Sequence, residues 1–162
     1  MSEHIRTIIT IARQYGSGGR EIGEMLAKKL DVPYYDKELI ALAAKESGFS
    51  EEMFRRADER AASSLLYSLV MGNYGFGSGF STMNEMPIND KLFLIQADII
   101  RKAAERGSCV IVGRCADYVL RERKDCLHVF IHANRESRLR RAVEKYGVEP
   151  DKVSDFLTKK DK

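Results

Sequence analysis

The chain reads as an α/β protein, with a parallel sheet and helices on both faces. Three observations predict this. Strand-length apolar runs alternate with amphipathic helical stretches, an order that builds parallel sheets through right-handed crossovers. The first run, Ile5 to Ile11, is almost continuously β-branched, as expected of a strand buried on both faces. It then empties into the glycine-rich turn Tyr15-Gly16-Ser17-Gly18-Gly19, which opens a helix near Arg20.

The remaining elements follow in order. The first helix is expected from Arg20 to Leu30, with Ile22, Met25, Leu26 and Leu30 as its apolar stripe. Asp31-Val32-Pro33 breaks it, and Val32 to Tyr35 makes a short second strand. Asp36 is placed to cap a helix that reaches Glu46 and stops at Ser47-Gly48. Ser50 caps another, with Glu51 and Glu52 in its first turn and a four-residue rhythm through Met53, Ala57, Ala61, Leu65 and Leu69. Met71–Pro87 is glycine-rich with aromatics, and reads either as a mobile surface loop on the substrate side or as an ordinary connection. A long helix from Asn89 to Arg106 ends at Gly107. Cys109 to Val112 is a third buried strand, Gly113-Arg114 a turn, and Ala116 to Arg121 a short helical piece. Leu127 to Ile131 is the fourth strand. Asn134 caps a basic helix to Tyr146-Gly147, and Asp151 to Lys160 is one more helix.

The 162 residues suffice for one domain with a real core. A net charge of +3 gives no whole-molecule attraction to nucleic acid or membrane, and neither is expected as a partner. No stretch reads as a signal peptide or a membrane span. The three cysteines fit no metal-binding spacing, which argues for reduced thiols and a cytoplasmic protein. His128 and His132, four apart on a strand, stand about 13 Å from each other, too far to share a metal. No metal site made of protein ligands alone is expected.

Ligands of open α/β sheets bind beyond the carboxyl ends of the strands. The loops at those ends carry Arg13 to Arg20, Asp36-Lys37, Gly113 to Asp117 and Ala133 to Arg141, where arginines and aspartates concentrate. A strand, a small-residue loop and a helix start together suit a phosphate: backbone N–H groups converge on the anion and the helix dipole favours it. A bland reading stands beside each sharp one. Glycines also turn strands into helices with no ligand present, Asp36 is a good helix cap by itself, and Arg114 can pair with a surface carboxylate.

Taken together, Ile9 to Gly23, Pro33 to Glu38, Val110 to Asp117, Phe130 to Arg138 and Lys160-Asp161-Lys162 resemble the cytidylate-kinase-like branch of the P-loop nucleoside monophosphate kinases, over essentially the whole chain. The resemblance implies a single P-loop kinase-like domain, 1–162, with a helical monophosphate-binding insert at about 36–87. It implies transfer of the ATP γ-phosphate to CMP or dCMP, with ATP and Mg2+ as cofactors and small-molecule nucleotides as partners. Arg20, Arg114 and Arg138 are the expected catalytic residues. Arg13, Gly16, Ser17, Gly18, Gly19, Arg20, Glu21 and Arg141 are expected at ATP, and Asp36, Arg114 and Asp117 at the acceptor.

Two departures qualify this expectation. In the standard loop, G-x-x-x-x-G-K-[ST], Arg13 replaces the first glycine, Gly19 the lysine and Arg20 the hydroxyl residue; shifted by one, Arg20 takes the lysine position and Glu21 the hydroxyl position. The loop lysine is missing in either register, and a guanidinium is no copy of a compact ammonium. The family pattern also continues past Lys162 into an arginine-bearing lid, a fifth strand and a closing helix. If the protein itself ends at Lys162, the sheet is expected to keep an open edge, inviting homo-oligomers, and activity is expected to suffer; a truncated kinase is the other expectation. The alternative is therefore a catalytically weak or inactive nucleotide-binding regulatory module. A different phosphoryl acceptor, or a purely structural role, stands behind it.

Overall fold

Strands β1 (Ile8–Arg13), β2 (Tyr34–Tyr35), β3 (Cys109–Val112) and β4 (Cys126–Ile131) pair in parallel in the order β2-β3-β1-β4. Seven helices are described with them: α1 (Gly19–Leu30), α2 (Lys37–Ser47), α3 (Glu51–Ala61), α4 (Ile88–Arg106), α5 (Ala116–Val119), α6 (Arg135–Tyr146) and α7 (Val153–Lys160). The computed structural model describes residues 6–61 and 88–161. Ile5, the rhythm through Leu65 and Leu69, and Met71–Pro87 lie outside them. The chain divides into two compact units, one made of residues 1–36 with 101–162, the other of residues 37–100.

The first unit holds the sheet. β1 runs two residues beyond its expected end, because its pairing with β4 continues to Arg13↔Ile131. Ile9, Ile11, Val110 and Val112 form one buried face with Ala27 of α1, while Leu26, Val129 and Ile131 pack at its margin. The opposite face is equally dry at Ile8, Thr10, Cys109 and Ile111. Such two-sided burial explains the unbroken apolar runs of β1 and β3. β4 is one of the two edge strands of this order, with Leu127 and Phe130 exposed.

The stripe expected on α1 is corrected by the structure. Its buried residues are Gly19, Gly23 and Ala27, whereas Ile22, Met25 and Leu30 are exposed. The helix lies too close to the sheet for a side chain at its centre: a Cβ on Gly23 would stand 2.7 Å from Val112 Cγ2 and 3.1 Å from Ile11 Cδ1. Close approach selects small residues four apart and moves the bulky apolar ones to the flanks. The fourth strand starts at Cys126 rather than Leu127, and the short helix ends at Val119 rather than Arg121.

Local signals set the other boundaries. Asn134 accepts the Ser137 amide at 2.8 Å and so caps α6, which Gly147 closes in the left-handed conformation. In the second unit, Ser50 Oγ accepts the Met53 amide at 3.3 Å to start α3. Leu39, Ile40, Ala43, Phe54, Leu92, Phe93, Ala97, Ile99 and Ile100 are buried there. Among the described residues no helix is long and apolar enough to cross a membrane.

Candidate functional site

Beyond the carboxyl end of β1 the chain turns through Gln14–Gly18 into α1, and a cleft of about 280 Å³ opens over this turn. Arg13, Gly16, Gly18, Gly19 and Arg20 line it, joined by Tyr146 and Lys160. The turn is pinned from its outer side. Gln14 donates its amide to Ile131 O at 3.0 Å, and Ser17 gives its amide and its hydroxyl to Gln14 O at 3.2 and 2.8 Å. The amides of Gly16, Gly18, Gly19, Arg20 and Glu21 take no partner among the described residues. Those at the helix start are the orphan donors that every helix presents to an anion.

Arg138 holds the turn from beneath. Its Nε donates to Tyr15 O at 2.7 Å, and its two terminal nitrogens grip Asp161 at 3.0 and 2.5 Å. This two-pronged donation holds the Asp161 carboxyl below the usual carboxylate range. Gly16 is required at the same contact: with φ +77° its Cβ would stand 2.8 Å from Arg138 O. Tyr15 packs edge-on against Phe156, with ring centres 5.2 Å apart, and at a tilt against Tyr146, at 5.4 Å. Arg138 was expected among the catalytic residues. It is buried, with all three guanidinium nitrogens engaged on Tyr15 O and Asp161, and so braces the loop.

A second cluster lies at the ends of β2 and β3. The Asp36 carboxylate, with 4% of its side chain exposed, stands 2.6 Å from Arg20 Nε and 3.8 Å from Arg114 Nη2. Arg20 thus belongs to both the cleft and this cluster. The turn that presents Arg114 is strained: Gly113, Arg114 and Cys115 have φ of +71°, +60° and +52° in succession. Left-handed residues with a Cβ cost roughly 1–2 kcal/mol each, and they gather where side-chain placement matters to function. Tyr34 Oη donates weakly to Arg20 O at 3.4 Å, and burial pushes its phenol up to about 12.

The other expected residues fall outside these clusters. Glu21 is held by Arg141 at 2.8 Å and by Lys145 at 3.1 Å, and those donors, Arg141 first, keep its carboxyl below the ordinary range. The Arg141 guanidinium also crowds Gly18, where a Cβ would stand 3.0 Å from Nη2. Ser17 spends its hydroxyl proton on the turn. Asp117 is exposed in the first turn of α5 and does not line the cleft. Tyr146 and Lys160 were not anticipated there, since nothing in a helix sequence tells which turn will face a loop more than a hundred residues earlier.

A parallel sheet with a pinned glycine turn, free amides and an arginine–aspartate cluster at its carboxyl edge defines a nucleotide-kinase-like α/β domain. The chain belongs to the cytidylate kinase-like family, whose model matches residues 8–162. That membership supports a kinase-type, nucleotide-binding role. A solved relative is an uncharacterized protein from Eubacterium ventriosum ATCC 27560, 25% identical, with a TM-score of 0.62 over 96% of this chain and 71% of that one. Comparison with curated proteins gives no match.

Proposed function

We propose that this chain is an ATP-dependent kinase that moves the γ-phosphate to CMP or dCMP, releasing ADP and the nucleoside diphosphate. One observation carries the reading: the amides of Gly16, Gly18, Gly19 and Arg20 take no partner among the described residues, and these residues line a cleft together with Arg13. Phosphoryl transfer asks for position and charge neutralisation rather than for a protein nucleophile. The loop amides hold the ATP phosphates, and Arg20 joins that anion to Asp36. Arg114, on its strained turn, grips the acceptor phosphate, for which a planar fork is suited. Asp36 keeps both guanidinium groups in register and orients the acceptor.

Magnesium neutralises charge on the ATP oxygens when it is bound. This chain's residues make a poor inner-sphere site for it. Glu21 is tied to Arg141 and Lys145, Asp36 stands between Arg20 and Arg114, and no cluster of three metal-binding side chains occurs among the described residues. The metal would therefore travel on the nucleotide.

The second reading is a module that binds the nucleotide without turnover, favoured by a glycine where the standard loop has lysine. A coupled ADP-release assay with CMP, dCMP, UMP, AMP and GMP separates the two. Turnover fastest with CMP or dCMP supports the kinase, whereas ATP-dependent thermal stabilisation with no ADP release supports the module. Turnover with another monophosphate would correct the acceptor and keep the reaction.

A further inference from the structure

The missing lysine has a structural counterpart. A Cβ on Gly19, the position that lysine would hold, would stand 2.6 Å from Arg13 Cβ and 3.2 Å from its Cγ and Cδ. The stem of Arg13 already fills that space. It runs on until Nη1 comes within 2.7 Å of where a Cβ on Gly113 would be. Two residues without side chains thus flank one arginine. Arg13 is only partly exposed and lines the cleft, yet among the described residues its guanidinium has no hydrogen-bond or carboxylate partner. A half-buried cation with no counter-charge is costly to hold. Arg20, the other candidate for the lysine's role, faces Asp36 at 2.6 Å.

We infer that Arg13 is the cation for the terminal phosphates of the bound nucleotide. The charge has moved from the start of α1 to the end of β1, and Gly19 and Gly113 are small because the Arg13 stem and fork cross them. The inference rests on the polyphosphate reading of the loop and adds the residue that supplies its charge.

The test is a reciprocal exchange. ATP and adenosine are titrated onto the wild type, Arg13→Gly, Gly19→Lys, the double variant and Arg13→Gln, and the unfolding of each ligand-free protein is followed in urea. Arg13→Gly and Arg13→Gln are expected to weaken ATP binding by about ten- to a hundredfold, the worth of a charge-assisted contact, and to leave adenosine binding unchanged. Gly19→Lys alone is expected to weaken ATP binding too, since its stem meets that of Arg13. The double variant, which restores the standard glycine and lysine positions, is expected to recover most of the affinity. A merely structural Arg13 predicts no such recovery. Arg13→Gln binding ATP like the wild type, or a folded double variant no better than the singles, overturns the inference and leaves the loop reading standing. A wild type that does not bind ATP overturns the loop reading itself.

Discussion

Replacing Arg138 by alanine removes a side chain that ties the glycine turn to Asp161, at the end of α7. Three hydrogen bonds go, one to Tyr15 O and two to Asp161. Bonds to charged groups are worth about 1.5–3 kcal/mol, but an exposed ion pair only about 0–1 kcal/mol. The Arg138 side chain is 5% exposed and that of Asp161 34%, so this pair lies between those limits. With the carbonyl bond included, a loss of about 3 kcal/mol is expected. For a chain of this size that lowers the thermal midpoint by roughly 6–12 °C. Urea and thermal unfolding of Arg138→Ala, Asp161→Asn and the double variant measure the effect, and the pair should show a coupling of at least about 1 kcal/mol. Arg138→Lys should recover little, since one ammonium cannot span the fork. An Arg138→Ala protein with a wild-type midpoint but no phosphoryl transfer would refute the reasoning, because Arg138 would then act on the substrate.

Further outcomes follow from the same geometry. Asp36→Asn releases Arg20 and Arg114 from a common partner, and ADP release with CMP should fall about a hundredfold, the scale of a 1 Å misplacement. Asp31→Gly should raise the urea-derived stability by about 0.5–1 kcal/mol, because exposed Asp31 ends α1 at φ +53°, where glycine carries no Cβ penalty. Asp161, Asp125 and Glu21 are all lowered by donors that favour the charged form: Arg138, Arg123, and Arg141 with Lys145. Their unfolded values lie near about 4, so the stability they contribute is complete above that pH and is lost as pH falls through the lower folded values. Thermal midpoints should be flat from neutrality to about pH 5 and then drop, with a shallower drop in Asp161→Asn.

The strands and the glycine turn were legible in the sequence because their signals are local. Asn134 capping α6 is of the same kind, a side chain bonding an amide three residues on. The face of α1 was not legible. Hydropathy marks Ile22, Met25 and Leu30 as candidates for burial, but the separation of helix and sheet is set by Gly19 and Gly23 meeting Arg13, Val112 and Ile11. At the site, the sequence shows arginines and aspartates gathering near the strand ends but not how they pair. Arg138 finds its carboxylate in Asp161, and Arg20 finds Asp36 across the end of another strand. Such partners are fixed by tertiary packing. The same holds for Arg13, whose meaning depends on lying across Gly19 and Gly113.

The most direct test is to follow backbone amide resonances through a titration with magnesium ATP. Saturable shifts at Gly16, Gly18, Gly19, Arg20 and Glu21, with Gln14 and Ser17 little changed, are the expected result. Bound ATP that leaves those five amides unmoved would contradict the account at its base.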